Sequence, residues 1–395
     1  MTGTRFGAMV GVALLACSII AVPARGEGEL PDRWEPLWMR TVAREISAVA
    51  TDANGDVYVT GWVDSRDGYW RSMVVAGYAR DGERLWRRVW PQHGGRYPYS
   101  VGSDVAVAPD GGTVYVGGAE FNDSTEVARA RLWAFTTDGT LRWGAVAWPG
   151  SSVEIRAVAA DRDGAVVGAT TRGECGWPHD GRLAAFDGQG NRLWTDPFEA
   201  PGIDGTSDAV ADVAIGSDGR VYAVGSIDRT PVSCDDVFAG IWSDEDIVVQ
   251  QLTRDGIVGW RSVLDDADVK DREGATAVTV GEGGIVVSGQ IDATRRLIGR
   301  AWLASFSDGG DVDWSRIWGP GRPASSIATA VSAAPWGPLF VSGSVRRASF
   351  LRSYTVDGAL LPGRLPARVS AAGVSTGLHR TLYVIGGSRL WRLRA

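Results

Sequence analysis

Residues 46–90 read ISAVATDANGDVYVTGWVDSRDGYWRSMVVAGYARDGERLWRRVW, and most of the chain is an imperfect copy of this stretch. Apolar runs at 48–50, 57–59, 73–78 and 85–90 are separated by polar turns that carry glycine. Short β-branched and aromatic runs punctuated in this way predict four antiparallel strands, A to D. A unit this small cannot bury both of its faces, so its recurrence predicts copies stacked around a common axis.

The core of strand B, Val57-Tyr58-Val59 in the first copy, recurs near residues 115, 166, 222, 286, 340 and 383, which makes seven units. In five of them a turn glycine precedes a second glycine by six positions, as in Gly55 and Gly61 or Gly112 and Gly118. A tight turn at one end and close backbone approach at the other both favour a residue without Cβ. Thr170 stands at that offset from Gly164, and Arg380 occupies the turn before Gly386. Between C and D a glycine is followed four residues later by tryptophan: Gly82 and Trp86, Gly139 and Trp143, Gly190 and Trp194, Gly256 and Trp260, Gly310 and Trp314. In the sixth unit Gly358 leads to Pro362 instead, and proline is tolerated on edge strands, so D is the outer strand. The seventh unit has A at 371–375, B at 381–385 and C at 389–394, then ends without a D strand. Leu37-Trp38-Met39-Arg40 matches Leu85-Trp86-Arg87-Arg88 and can supply it. The expected fold is all-β, a seven-bladed β-propeller of four-stranded antiparallel blades, with the last blade closed by the N-terminal strand so that the ring has no free end.

The phrases AVATDANGDVYVTG, DVAVAPDGGTVYVGG and DVAIGSDGRVYAVG resemble the β-propeller repeats of bacterial exported proteins, and the DG-x-x-LW turns resemble those of the quinoprotein-like (PQQ-like) family. The resemblance covers 34–395 and implies a propeller with a central channel. It rests on turn and core positions shared by propellers with many roles. It also implies a quinone cofactor as an alternative, although such dehydrogenases normally have more blades and a longer chain.

Composition agrees with a turn-rich β protein: 53 of 395 residues are glycine and 44% are apolar. The chain is acidic, with a formal net charge of −7 and no dense basic stripe, which argues against nucleic acid as a partner. Arg5, an apolar run over 6–22 and the small-residue ending Val22-Pro23-Ala24 predict an export signal at 1–24, leaving 25–395 as one domain outside the cytoplasm, periplasmic or extracellular. Leu14-Leu15-Ala16-Cys17 also resembles a lipobox, which makes a lipid anchor on Cys17 the one expected route to a membrane. A monomer is expected.

Antiparallel meanders place the A–B and C–D turns on one face and the B–C and D–A connections on the other. The first set is short and uniform, the second long and irregular, which predicts a binding surface on a constant scaffold. The candidate ligand residues on that face are Trp70, Tyr97, Trp177, Asp235, Asp236 and Trp242, aromatic platforms beside carboxylates suited to a protein or carbohydrate partner. Three histidines, none in equivalent positions, and no nucleophile elbow or phosphate-cradling loop weigh against catalysis. A propeller enzyme, quinoprotein-like or glycan-acting, is the alternative. Asp52-Ala53-Asn54-Gly55-Asp56 looks like the start of a calcium loop but lacks the later glutamate, so neither calcium nor any other metal or cofactor is expected.

Cys175 and Cys234 lie in the long B–C loops of adjacent units, and export would place them where disulfides persist. The expected pair closes a loop of about 60 residues, for which chain entropy gives at most roughly 4 kcal/mol. Thiol titration of the unreduced exported protein should find neither cysteine free, and two free thiols would refute the pairing.

Overall fold

The computed structural model describes residues 30–64, 70–90, 99–122, 127–148, 153–172, 178–198, 208–228, 245–264, 272–294, 298–319, 325–346, 348–366 and 369–394. Every internal gap in this range falls in a B–C or D–A connection. The N-terminal 1–29, with the expected export signal and Cys17, lies outside the described residues.

Twenty-eight strands form seven four-stranded antiparallel blades, and the described residues include no helix. Blade one runs Glu45–Thr51, Val57–Asp64, Arg71–Tyr78 and Arg84–Trp90, in that spatial order from A to D. Blades two to six repeat the order from Tyr99 to Leu361. A single parallel bridge between Glu245 and Arg272 joins the start of strand C in blade four to the inner strand of blade five. In blade seven, Gly373–Gly377, Thr381–Gly386 and Arg389–Arg394 are completed by Glu35–Thr41, which pairs antiparallel with the last of them. The chain therefore closes its ring with a strand from its own beginning, as expected.

The core lies between blades rather than within them. Seven apolar clusters are found, each shared by two neighbouring blades, so every joint of the ring is a hydrophobic interface. Val57, Val75, Val116, Val167 and Val287, all essentially without exposed surface, belong to these joints. Strands B and C are buried on both sides, while D strands alternate exposed and half-buried residues in the manner of an outer edge.

On the short-turn face six of the seven joints carry the same link. The indole Nε1 of Trp38, Trp86, Trp143, Trp194, Trp260 and Trp314 donates at 2.6–3.0 Å to a carbonyl in the C–D turn of the next blade, Arg80, Thr137, Gly188, Arg254, Asp308 and Val356 in turn. The glycine two residues after that carbonyl lies under the indole. A Cβ at Gly139 would stand 2.5 Å from the Trp86 ring, and Gly139 also has φ +83°. The spacing of glycine to tryptophan thus serves two joints at once, the glycine receiving one indole while its own tryptophan reaches forward.

The joint from blade six to blade seven departs from this rule. Pro362 replaces the tryptophan, strand D of blade six shrinks to Leu360–Leu361, and strands C and D of blade seven, Arg389–Arg394 and Glu35–Thr41, are far apart in sequence and share no turn. Trp34 fills the gap from the N-terminal arm. It stands four residues before Trp38, where the other blades have the turn glycine. Its ring packs edge-on against Phe340 at 6.1 Å, as Trp86 packs near Tyr58, and against Gly363, where a Cβ would come within 2.5 Å. The tryptophan and glycine of this joint have exchanged places. The Trp34 backbone N–H donates to Arg364 at 3.2 Å, whereas its Nε1 is buried without a partner.

Three details of the repeat differ from the expectation. The A–B turn of blade three is one residue shorter, with Asp161 bonded to Gly164 where Asp52 bonds to Asp56, so Ala169 and not Thr170 takes the place of Gly61. In blade seven Arg380 occupies the position of Gly55, as expected, but strand A starts at Gly373 rather than 371. The strands also run further towards the long-loop face: blade two pairs Glu120 with Arg129 and Asn122 with Val127, well beyond its apolar core.

The N-terminal arm provides both an outer strand and a joint tryptophan. Deleting residues 25–43 should yield an aggregating or oligomeric species by light scattering, because an edge and an apolar joint open together. Trp34→Ala alone should lose about 3–5 kcal/mol in denaturant unfolding. A truncated protein that remains monomeric and as stable as the intact one would show that the ring does not need its clasp.

Candidate functional site

Six of the seven inner strands carry a one-residue bulge at the same height, where Ser47, Ser103, Arg156, Ala211, Thr276 and Thr329 are left out of the ladder. Glycine on strand B makes room for it in five blades. A Cβ on Gly61, Gly118, Gly225, Gly289 or Gly343 would lie 1.8–2.3 Å from a carbonyl oxygen of the inner strand. The bulge turns one extra side chain away from the sheet pairing, near the end of the strand that faces the long loops.

Four of these residues, Ser47, Ser103, Arg156 and Ala211, line a cavity of about 620 Å³. It is built from the first residues of the inner strands of blades one to four and the adjoining ends of strands B and C, which places it at the channel mouth on the long-loop face. Its aromatic wall is Trp62, Tyr99 and Phe121. Tyr99 meets Phe121 edge to face at 4.6 Å, and the Arg71 guanidinium lies over the Trp62 ring at 4.1 Å. Its polar wall is centred on Glu154, which accepts a hydrogen bond from Ser103 at 2.7 Å and pairs with Arg156 at 3.4 Å. Glu154 is largely shielded while half of the Arg156 side chain is exposed. Glu45 and Arg71 add one charge of each sign to the rim.

Below the bulge two carboxyls tie inner strands together. Asp104 accepts the N–H of Val105 at 2.8 Å and of Val158 on blade three at 2.7 Å; Asp212 accepts those of Val213 and of Val278 on blade five, both at 2.8 Å. Alanine occupies the matching place in the other bulged blades, at Ala48, Ala157, Ala277 and Ala330. Burial pushes the Asp104 carboxyl up to about 6 and that of Asp212 to about 8, the latter aided by the charge of Asp104, while the backbone hydrogen bonds pull the other way.

Of the residues picked out from the sequence, Trp70 is described and half-buried immediately before strand C of blade one, next to Arg71. Tyr97, Trp177, Asp235, Asp236, Trp242, Cys175 and Cys234 lie outside the described residues. The cavity instead brings together residues that the sequence reading passed over. A charged pair inside an otherwise apolar inner strand, Glu154 and Arg156 in VEIRAVAA, was the signal available for them. Among the described residues no three His, Cys, Asp or Glu side chains come together to hold a metal ion.

No family model matches the chain, and no curated protein matches it. Solved structures do. A chain of the mitotic checkpoint complex superposes with a TM-score of 0.58 at 13% identity, over 100% of this chain and 99% of its own. A chain of the Kuenenia stuttgartiensis hydrazine synthase gives 0.54 at 14% identity, over 89% and 96%. BamB from Moraxella catarrhalis gives 0.49 at 12% identity, over 92% and 100%. Identities this low speak for the shared fold alone: the chain is a β-propeller repeat protein.

The raised carboxyls have a consequence for stability. The folded state binds more protons than the unfolded chain between the ordinary aspartate range and about pH 8, so stability falls as pH rises through that window. Thermal melts from pH 4 to 9 should show this decline, and Asp212→Asn should flatten it. An identical pH slope in the variant would remove Asp212 from the account.

Proposed function

We propose that the chain is an exported binding protein whose propeller presents a recognition site at the channel mouth on the long-loop face, and that it takes a protein or carbohydrate partner there without catalysing a reaction. The observation that supports this reading is the 620 Å³ cavity, where three successive inner strands contribute polar side chains and a fourth an apolar floor, opposite an aromatic wall. Ligand sites are concave and of this size, with a few fixed polar groups among apolar ones. The opposite face offers short turns, whose backbone carbonyls between strands C and D are engaged in the joints. Export rests on residues 1–24, and the resemblance to quinoprotein-like repeats adds a bacterial envelope setting.

Glycan arrays and pull-downs from the native envelope, run in parallel, identify the class of partner. Combining Trp62→Ala with Arg71→Ala should weaken whichever interaction is found at least tenfold, with the melting temperature held as a folding control. Full affinity in that variant, or a bound chromophore with turnover in natively purified protein, would overturn the reading.

A further inference from the structure

Among the described residues no carboxylate pairs with the Arg71 guanidinium, although it borders the channel-mouth cavity of about 620 Å³. We propose, on the footing that this cavity is the recognition site, that its ligand is a sugar acid, one or two polyol rings that carry a single carboxylate.

The single charge follows from which groups of the cavity are already matched. Arg71 opens strand C of blade one, and its guanidinium lies over the Trp62 ring at 4.1 Å. Stacking occupies the flat face of the group, so the N–H donors around its edge stay free for an acceptor in the same plane. A carboxylate meets that fork with two parallel hydrogen bonds. The other guanidinium of the cavity, on Arg156, is held at 3.4 Å by Glu154, which is itself largely shielded from water. Glu45 pairs with Trp62 in the ladder of blade one and faces the same cavity, so a second anionic group on the ligand would be repelled.

The polyol follows from the remaining polar groups, which accept more than they donate. Ser103 gives its hydroxyl proton to Glu154 at 2.7 Å, and Thr170 gives its own to the Val210 carbonyl at 3.4 Å, so both oxygens have only lone pairs left to offer. The Glu45 carboxylate is likewise an acceptor. Such a wall calls for a ligand rich in O–H donors, which a sugar supplies and an apolar acid does not. Tyr99 and Phe121, set edge to face at 4.6 Å, provide the flat apolar surface on which the C–H side of a sugar ring rests. The volume suits one or two rings.

Calorimetric titration of the purified protein with cellobiouronic acid and with cellobiose tests this, because the two differ only in a carboxylate where the neutral sugar has a hydroxymethyl group. Saturable binding of the acid is expected, with cellobiose about tenfold weaker, as the loss of a charged hydrogen bond implies. Arg71→Gln keeps a hydrogen-bonding side chain without the charge, and should abolish that preference by weakening the acid alone. Phe121→Ala should instead weaken both sugars alike, with the melting temperature as the folding control in each variant. Absence of saturable binding of the acid, equal affinity for the two sugars, or an undiminished preference in Arg71→Gln would each overturn the sugar-acid assignment. Failure of that assignment is distinguishable from failure of the site: a protein or neutral glycan captured from the envelope, and lost in the Trp62→Ala, Arg71→Ala variant, would overturn the sugar acid and leave the channel mouth as the recognition site.

Discussion

An indole N–H donated to a main-chain carbonyl of the next blade, over a glycine that leaves space for the ring, is the constraint on which the ring depends. Apolar packing between blades is strong but has no preferred direction. A hydrogen bond from such a partly exposed indole contributes only about 1 kcal/mol net, yet it fixes how far one blade is rotated from the next. Repeated at six joints, it sets the curvature that lets seven blades meet. The seventh joint keeps the indole, Trp34 over Gly363, but loses the bond.

The two faces of the molecule consequently obey different rules. At the short-turn face every blade is bound by the same side chain to the same backbone group, and only the seam has freedom to vary. At the long-loop face the inner strands share their backbone path while their exposed residues diverge, from serine to arginine to alanine at the bulge. Carboxyls at two positions, Asp104 and Asp212, break the equivalence of the blades further by pinning particular neighbours.

Much of this was legible in the chain. Turn glycines and tryptophans recur because each has a steric reason to be where it is, so the number of blades, the strand order and closure by Glu35–Thr41 could be read directly. Trp34 was missed because it occupies a glycine position and acts on a neighbouring blade, a relation that no repeat alignment displays. Thr170 was placed by counting, which fails when a turn shortens by one residue. The cavity residues were hidden for a different reason. Attention to long loops favours aromatic residues between strands, whereas Trp62, Arg71, Glu154 and Arg156 lie on strand ends, which the polar pairing extends beyond the apolar runs.

The bulge on the inner strands has an evolutionary consequence. A residue omitted from ladder pairing leaves the register intact when it is replaced, although Thr276 and Thr329 also donate to main-chain carbonyls of the next blade, Ala328 and Ala372. Six such positions, at one height around the axis, amount to a panel whose chemistry can be rewritten one blade at a time while the frame stays constant. Descendants of one ancestral ring could in this way acquire unrelated specificities by substitutions that folding scarcely registers, and blades that began as copies would come to differ most in the one ring of side chains that meets a ligand.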